Sequence, residues 1–388
     1  MQFRINIFHI ILSFYSLILI SIFSMISENQ VLILINSCSF IILLFYFLIF
    51  YKSDKYLKIL LIFFLLISLG TLCTSWDARS IWLFKTKIFF YETNIFDINN
   101  HPQFSHPTYP ILGPLFASIF VRSVNFWNEI FPKIGIFFLF IPPLLSLSIF
   151  FKNNYLYALF SILLFVVGKY FFNGEMDGLI SIYFLNSIIL SYNVIFNNGT
   201  KNTQLFNILI FNNIILSLLK FEGTVLIILI FLLFLFHFFI TKKIKLDKLI
   251  WIIISIIPSI LWFIYSNHIN IVYNLNDSSF SFTNFINRID NFKDLLLIIK
   301  FIMSDEKFLM SLFIFFFIYF KSKEKKLFNM VFIINSMYLA ILIALYLSTN
   351  YDLQWHLSSS INRVIKPITL SFIVITLYCY YLNKLRVK

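Results

Sequence analysis

The sequence predicts an all-α, polytopic transmembrane helical bundle of about 11–13 spans, a single integral membrane domain over residues 1–388. Three observations predict it. The chain is 60% hydrophobic and 12% charged, with a mean hydropathy of +0.89, whereas an ordinary soluble domain carries about 25% charged residues. Apolar runs of about 20 residues, the length that crosses the hydrocarbon core as a helix, recur from end to end. The runs are continuous rather than alternating, which excludes a membrane β-barrel.

In chain order the runs fall at 5–26, 30–51, 57–74, 110–125, 133–151, 155–171, 176–195, 204–220, 222–240, 249–266, 296–318, 328–348 and 366–383. The first follows Arg4; it is too long for a cleaved signal core, lacks an A-x-A-like site and reads as a retained span. Basic residues crowd the connections 52–58, 242–248 and 321–326 and the end of the chain at Lys384, Arg386 and Lys388. The positive-inside rule puts these four on the cytoplasmic side of a plasma (inner) membrane. That placement accounts for the net charge of +13 and leaves no signal for nucleic acid as a partner. Cys38, Cys73 and Cys379 sit singly in apolar runs without metal-ligand spacing.

With 52–58 inside, segment 75–109 is an outer loop. An odd number of crossings must then lead to 242–248, yet six runs lie between them. One run does not cross, either 110–125 with its prolines or the short 155–171. The turn near 173–178, the break at 220–223 and an outer loop at 349–364 then share the face of 75–109. A second outer segment, 267–295, carries Phe282, Phe285, Ile286, Ile289, Phe292 and Leu296 at helical spacing, as an interfacial helix does.

Polar chemistry concentrates on that face. The first loop reads W-D-A-R-S-I-W-L-F-K-T-K and holds Asp77, Arg79, Lys85, Lys87, Glu92, Asp97, His101 and His106. A carboxylate at the end of a span can serve as a general base on a hydroxyl acceptor. Arg79, Lys85 and Lys87 can stabilise a departing phosphate; an anchored loop in an aromatic belt is the blander alternative. The turn G-E-M-D-G supplies Glu175 and Asp177, for metal or sugar hydroxyls, or merely as a solvated turn. K-F-E-G places Lys220 and Glu222 within a long apolar stretch, where charge is costly unless paired or used. Y-D-L-Q-W-H-L-S-S-S-I-N-R-V brings Trp355, His356 and Arg363 to the start of the last span. His356 and Arg363, seven apart, share a face if this segment is helical, and suit a lipid-linked phosphate.

Taken in order over about residues 70–370, W-D-A-R-x-I-W-x-x-K-x-K, H-P and Y-P-I-L, the acidic turn, K-F-E-G and W-H-L-S-S-S-I-N-R-V resemble the GT-C superfamily of multi-spanning glycosyltransferases. Relatives in that superfamily include the protein O-mannosyltransferases and the lipid A aminoarabinose transferase. The resemblance implies a polyprenyl-phosphate-linked sugar donor and inverting transfer, on the outer face, to a glycan, lipid or protein acceptor. It implies Asp77 as the catalytic base. Arg79, Lys85, His106, Tyr109, Asp177, Lys220, Glu222, Trp355, His356 and Arg363 would hold donor phosphate and substrate. A divalent cation, Mg or Mn, is left open. The chain departs from the pattern at Phe221, where Asn is expected, and at Thr108, where a carboxylate often precedes the Tyr-Pro. The alternatives are a transporter or flippase of lipid-linked glycans, which predicts charge at mid-membrane, and a structural envelope subunit.

Overall fold

The computed structural model describes residues 6–52, 55–92, 106, 108–152, 154–196, 202–241, 244–268 and 281–387. Asp97, His101, Lys242 and residues 269–280 lie outside the described residues. The described chain is helical, with no strand, and forms an all-α polytopic bundle.

The chain opens with α1 (Ile7–Ile26) and α2 (Gln30–Ile49), started by the side-chain caps Asn6 and Asn29. Helix α3 (Lys55–Gly70) stops short of the expected residue 74. Ala78–Trp82 is a π-helical stretch that leads into α4 (Leu83–Tyr91). Then come α5 (Leu112–Val124), α6 (Ile130–Phe138), α7 (Ile141–Ser148), α8 (Asn154–Phe172), α9 (Asp177–Phe196), α10 (Asn202–Leu219) and α11 (Phe221–Thr241). The second half holds α12 (Leu246–Ile254), α13 (Ile257–His268), α14 (Phe282–Asp290), α15 (Phe292–Met303), α16 (Glu306–Lys321), α17 (Lys325–Ser348), α18 (Leu353–Val364) and α19 (Lys366–Val387).

Among the described residues, ten helices or end-to-end helix pairs are long and apolar enough to cross a membrane: α1, α2, α6–α7, α8, α9, α10, α11, α12–α13, α17 and α18–α19. Prolines make two of the joints, Pro142 and Pro143 opening α7 and Pro258 opening α13, where a missing N–H costs least. At 16 residues each, α3 and α16 reach about 24 Å, and α3 still joins the two ends of the bundle. It starts with Tyr56 against Tyr157 at the foot of α8 and finishes where Thr71 Oγ1 donates to the carbonyl of Phe172 at its top.

The described basic connections gather at one end. Tyr155 meets Tyr381 of α19, Tyr192 donates to Glu324, and Lys326 lies over Phe196. The turns after α3, α8 and α10 gather at the other, polar end. Helix α5 starts beside Met176 in one of those turns and finishes with Ser123 bonded to Ser37 and Arg122 to Met25, in the last turn of α1. Both ends of α5 therefore stay with the polar end, and it is the run that does not cross. Five crossings remain between the first loop and the 244–248 connection, which satisfies the parity.

The continuous run expected over 296–318 is broken. Asp305 caps α16 by accepting from the Phe308 N–H and ends α15 two residues earlier. The loop expected at 349–364 is a short turn followed by α18, whose cap is Asp352. Helix α14 has no buried residue and exposes Phe282, Ile286 and Ile289, as an interfacial helix would.

Helix α9 is the bundle's centre, buried along nearly its whole length. A neutral network fixes its height: Asn186 Nδ2 and Tyr15 Oη both donate to Asn212 Oδ1 at 2.8 Å, Ser146 donates to Asn186, and Asn212 Nδ2 donates to Ser187. Such bonds average about 0.6 kcal/mol each in a membrane protein. They lock α1, α7, α9 and α10 in register, which places Asp177 at the top of α9 next to Lys220 at the top of α10.

Candidate functional site

Four segments distant in sequence converge at the polar end. The guanidinium of Arg363 on α18 donates to Asp77 Oδ2, a partner 286 positions away. Lys220 Nζ bonds Asp177 Oδ1 at 3.1 Å and Glu222 Oε1 at 3.0 Å. The K-F-E-G glycine is explained by close approach: a Cβ on Gly223 would lie 2.0 Å from the Leu216 carbonyl oxygen, so only glycine allows so tight a passage from α10 to α11.

A π-helical stretch starts just after Asp77, with the Leu83 N–H reaching back to the Ala78 carbonyl. Such stretches are rare and recur at functional sites. The Ser75 hydroxyl caps the Ala78 N–H and also bonds the Glu175 carboxyl, tying the first loop to the acidic turn. Gly174 makes that turn possible with φ +82°; a Cβ there would press on Cys73 Sγ at 3.1 Å.

Tyr109 welds the first loop to K-F-E-G. Its ring stacks on His106 at 4.7 Å and on Trp82 at 5.8 Å, and meets Phe221 edge-on. Lys85, fully buried, donates to the Tyr109 carbonyl at 3.1 Å, and the ammoniums of Lys85 and Lys220 lie 5.9 and 5.7 Å from the Tyr109 ring, within cation–π range. Trp262 of α13 holds the Thr108 carbonyl from behind.

The acids and bases tune one another. Burial raises the Glu175 pKa, with Asp177 and Asp77 adding repulsion, against the Ser75 hydrogen bond and Arg363. Burial lowers the Lys85 pKa. Burial, then Lys220 and Lys85, lower that of His106. For Lys220 burial pulls downward, but Asp177 and Glu222 outweigh it and hold the pKa well above the ordinary value. Asp77 pairs with Arg363, and Asp177 and Glu222 share Lys220; among the described residues Glu175 is the acid of this cluster that stands outside an ion pair.

The site is closed in this arrangement. Asp177, Ile180, Glu222, Tyr338, Arg363, Val364 and Pro367 enclose a cavity of about 10 Å³, room for about one water. Asp177 Oδ2 and Arg363 Nε are buried without a hydrogen-bond partner among the described residues. Among those residues, no three His, Cys, Asp or Glu side chains converge as a metal site.

Asp77, Lys85, His106, Tyr109, Asp177, Lys220, Glu222 and Arg363 come together; Arg79, Trp355 and His356 do not. Arg79 is exposed and its Nε donates to the Cys73 carbonyl at 2.7 Å. Trp355 is 58% exposed and packs on Tyr351. His356 does share α18 with Arg363 but lies two turns away, bonded to Thr349 Oγ1 at 3.0 Å between Tyr346 and Tyr351. Sequence reasoning passed over Arg288, which donates to the carbonyls of Tyr346, Thr349 and Tyr351 and so clamps the turn before α18. It also passed over the buried pair Lys366–Asp305, 2.7 Å apart; an acid inside the apolar run 296–318 was the available signal. Comparison with protein-family models, curated proteins and solved structures gives no match for the chain.

Proposed function

We propose that this chain is an inverting membrane glycosyltransferase that takes its sugar from a polyprenyl-phosphate donor on the non-cytoplasmic side of the plasma membrane. The observation that carries the reading is the meeting of Asp77 with Arg363, backed by Lys220 and Lys85. It unites in one place the carboxylate and the cations that such a reaction requires.

In this reading Asp77 takes the proton of an acceptor hydroxyl. The acceptor oxygen attacks the anomeric carbon from the face opposite the phosphate, and the bond from that carbon to the phosphate oxygen breaks. The electron pair leaves with the phosphate, whose charge Arg363, Lys220 and Lys85 neutralise. Asp177 and Glu222 hold Lys220 charged, and Tyr109 with His106 shapes the aromatic wall against which a sugar ring can lie. Since Arg363 holds Asp77 in the closed arrangement, donor phosphate must draw the guanidinium away before the carboxylate is free to act. The glycan-transporter alternative asks for charge at mid-bundle, where the polar groups joining α1, α7, α9 and α10 are neutral.

The test is to incubate purified protein with a panel of radiolabelled polyprenyl-phosphate sugars, with and without added acceptors, wild type beside Asp77→Ala. Sugar transfer or release is expected from wild type and a loss of about 100-fold or more from the variant. Full turnover by folded Asp77→Ala would remove Asp77 as the base.

A further inference from the structure

Charge recurs at one place beside the site, on the wall that faces lipid. Where α15 gives way to α16 and α18 to α19, Lys366 Nζ donates to Asp305 Oδ2 at 2.7 Å, with side chains only 6% and 8% exposed. Lys307, two residues past Asp305, turns outward and reaches α8. Its ammonium donates to the Phe165 carbonyl at 2.6 Å and lies 4.8 Å from the Phe165 ring. Lys169, exposed, is one turn further along the same face of α8. Helices α8 and α16 both pack along α19, so Lys307 bridges the gap between them.

This gap leads inward. Tyr170 of α8, itself buried, feels the charges of both places, Asp177, Glu175 and Arg363 of the site and Asp305 of this junction. Arg363 precedes Lys366 by three residues, just under one turn. Lys307, Lys366 and Arg363 thus form a line of cations from the lipid-facing wall to the candidate site. Among the described residues, the acids at this junction are Asp305, which Lys366 occupies, and Glu306, which is exposed in the first turn of α16 where the helix N-terminus favours it. The surrounding wall exposes Phe165, Leu309 and Met310. A ligand for this place carries an anion and apolar chains together.

The geometry points to a lateral binding site for the phosphate headgroup of a membrane lipid, between α8 and α16, with Lys307 and Lys169 as its ligands. Its use as the doorway for a lipid-linked donor rests on the function proposed above; the lipid site itself does not. An incoming phosphate would meet Lys307 first and reach Arg363 by exchanging partners along the line.

Native mass spectrometry of the full chain in detergent, titrated with phosphatidylglycerol, phosphatidylcholine or a polyprenyl phosphate, tests the site. Wild type is expected to bind one phosphatidylglycerol about 30-fold more tightly than the Lys169→Gln/Lys307→Gln variant, the scale of two basic residues at a membrane surface. Lys307→Arg should keep the affinity, Lys169→Gln alone should lose about fivefold, and Lys321→Gln/Lys323→Gln at the basic end should change nothing. Equal affinity in wild type and the double variant, or no preference over phosphatidylcholine, overturns the site. One-for-one displacement of phosphatidylglycerol by the polyprenyl phosphate supports the doorway. Failure to displace it overturns the doorway, leaves a site for bulk anionic lipid, and is independent of the sugar-transfer assay.

Discussion

Removing Arg363 leaves the partly buried Asp77 carboxylate without its counter-ion, and removing Asp77 leaves the guanidinium partly buried beside the like charge of Lys220. Asp77→Asn and Arg363→Gln should therefore couple by about 1–3 kcal/mol in a double-mutant cycle of thermal unfolding; additive effects would show that the two side chains do not meet. Glu175 makes a prediction in pH. Its folded-state pKa lies above the ordinary 4.5, so the folded protein holds a proton that the unfolded chain has released. The stability this brings is fully present below 4.5 and is lost as pH rises through the folded value. Glu175→Gln should flatten that decline in Tm from about pH 4.5 upward; parallel curves for wild type and variant would contradict a raised Glu175 pKa. The motifs W-D-A-R and K-F-E-G disclosed Asp77, Lys220 and Glu222, because charge next to lipid-grade sequence is conspicuous. Arg79 was equally conspicuous and points elsewhere, since its direction depends on the π-helical turn, which no local residue preference announces.

Among elements, α14 shows how a surface helix can control a site it does not enter. It buries no residue of its own, yet Arg288 takes carbonyls at the end of α17 and in the following turn, Asn284 takes Asn350, and the Ser281 N–H takes the Ser348 carbonyl. The Tyr346 and Ser348 carbonyls lie in the last turn of α17, where a helix offers no partner of its own. Arg288→Ala should speed hydrogen exchange at the first amides of α18, Trp355 and His356, by about tenfold or more, the scale of a charged hydrogen bond lost. The amides of α9 should keep their protection. Unchanged exchange in α18 would mean that its own cap, Asp352, suffices. The helical period of Phe282, Ile286 and Ile289 made α14 legible as an interfacial helix. The grip of Arg288 was not, because its acceptors are main-chain carbonyls about 60 positions away and carry no residue signature.

At the scale of the whole molecule, the expected arrangement is basic connections in the cytoplasm and the candidate site opposite. With Cys38, Cys73 and Cys379 replaced by Ala, a membrane-impermeant maleimide added to intact cells should label Trp355→Cys and spare Lys323→Cys until the cells are lysed. The reverse pattern would turn the bundle over and move the site to the cytoplasm. Hydropathy, unbroken apolar runs, the three lysine-rich connections and the basic end of the chain were enough to establish the helical bundle and the grouping of its polar turns at one end, because lipid permits a long chain few other arrangements. Parity even required one run not to cross. Which run that was, and how the charges pair, lay beyond the sequence. Helix α5 stays at the polar end because Ser123 and Arg122 find partners on α1 and α2, and the 296–318 run breaks because Lys366 awaits Asp305. The sequence determines which residues are too polar for lipid; only the tertiary structure decides which of them become partners, since the energy of a buried charge depends on the single group that faces it.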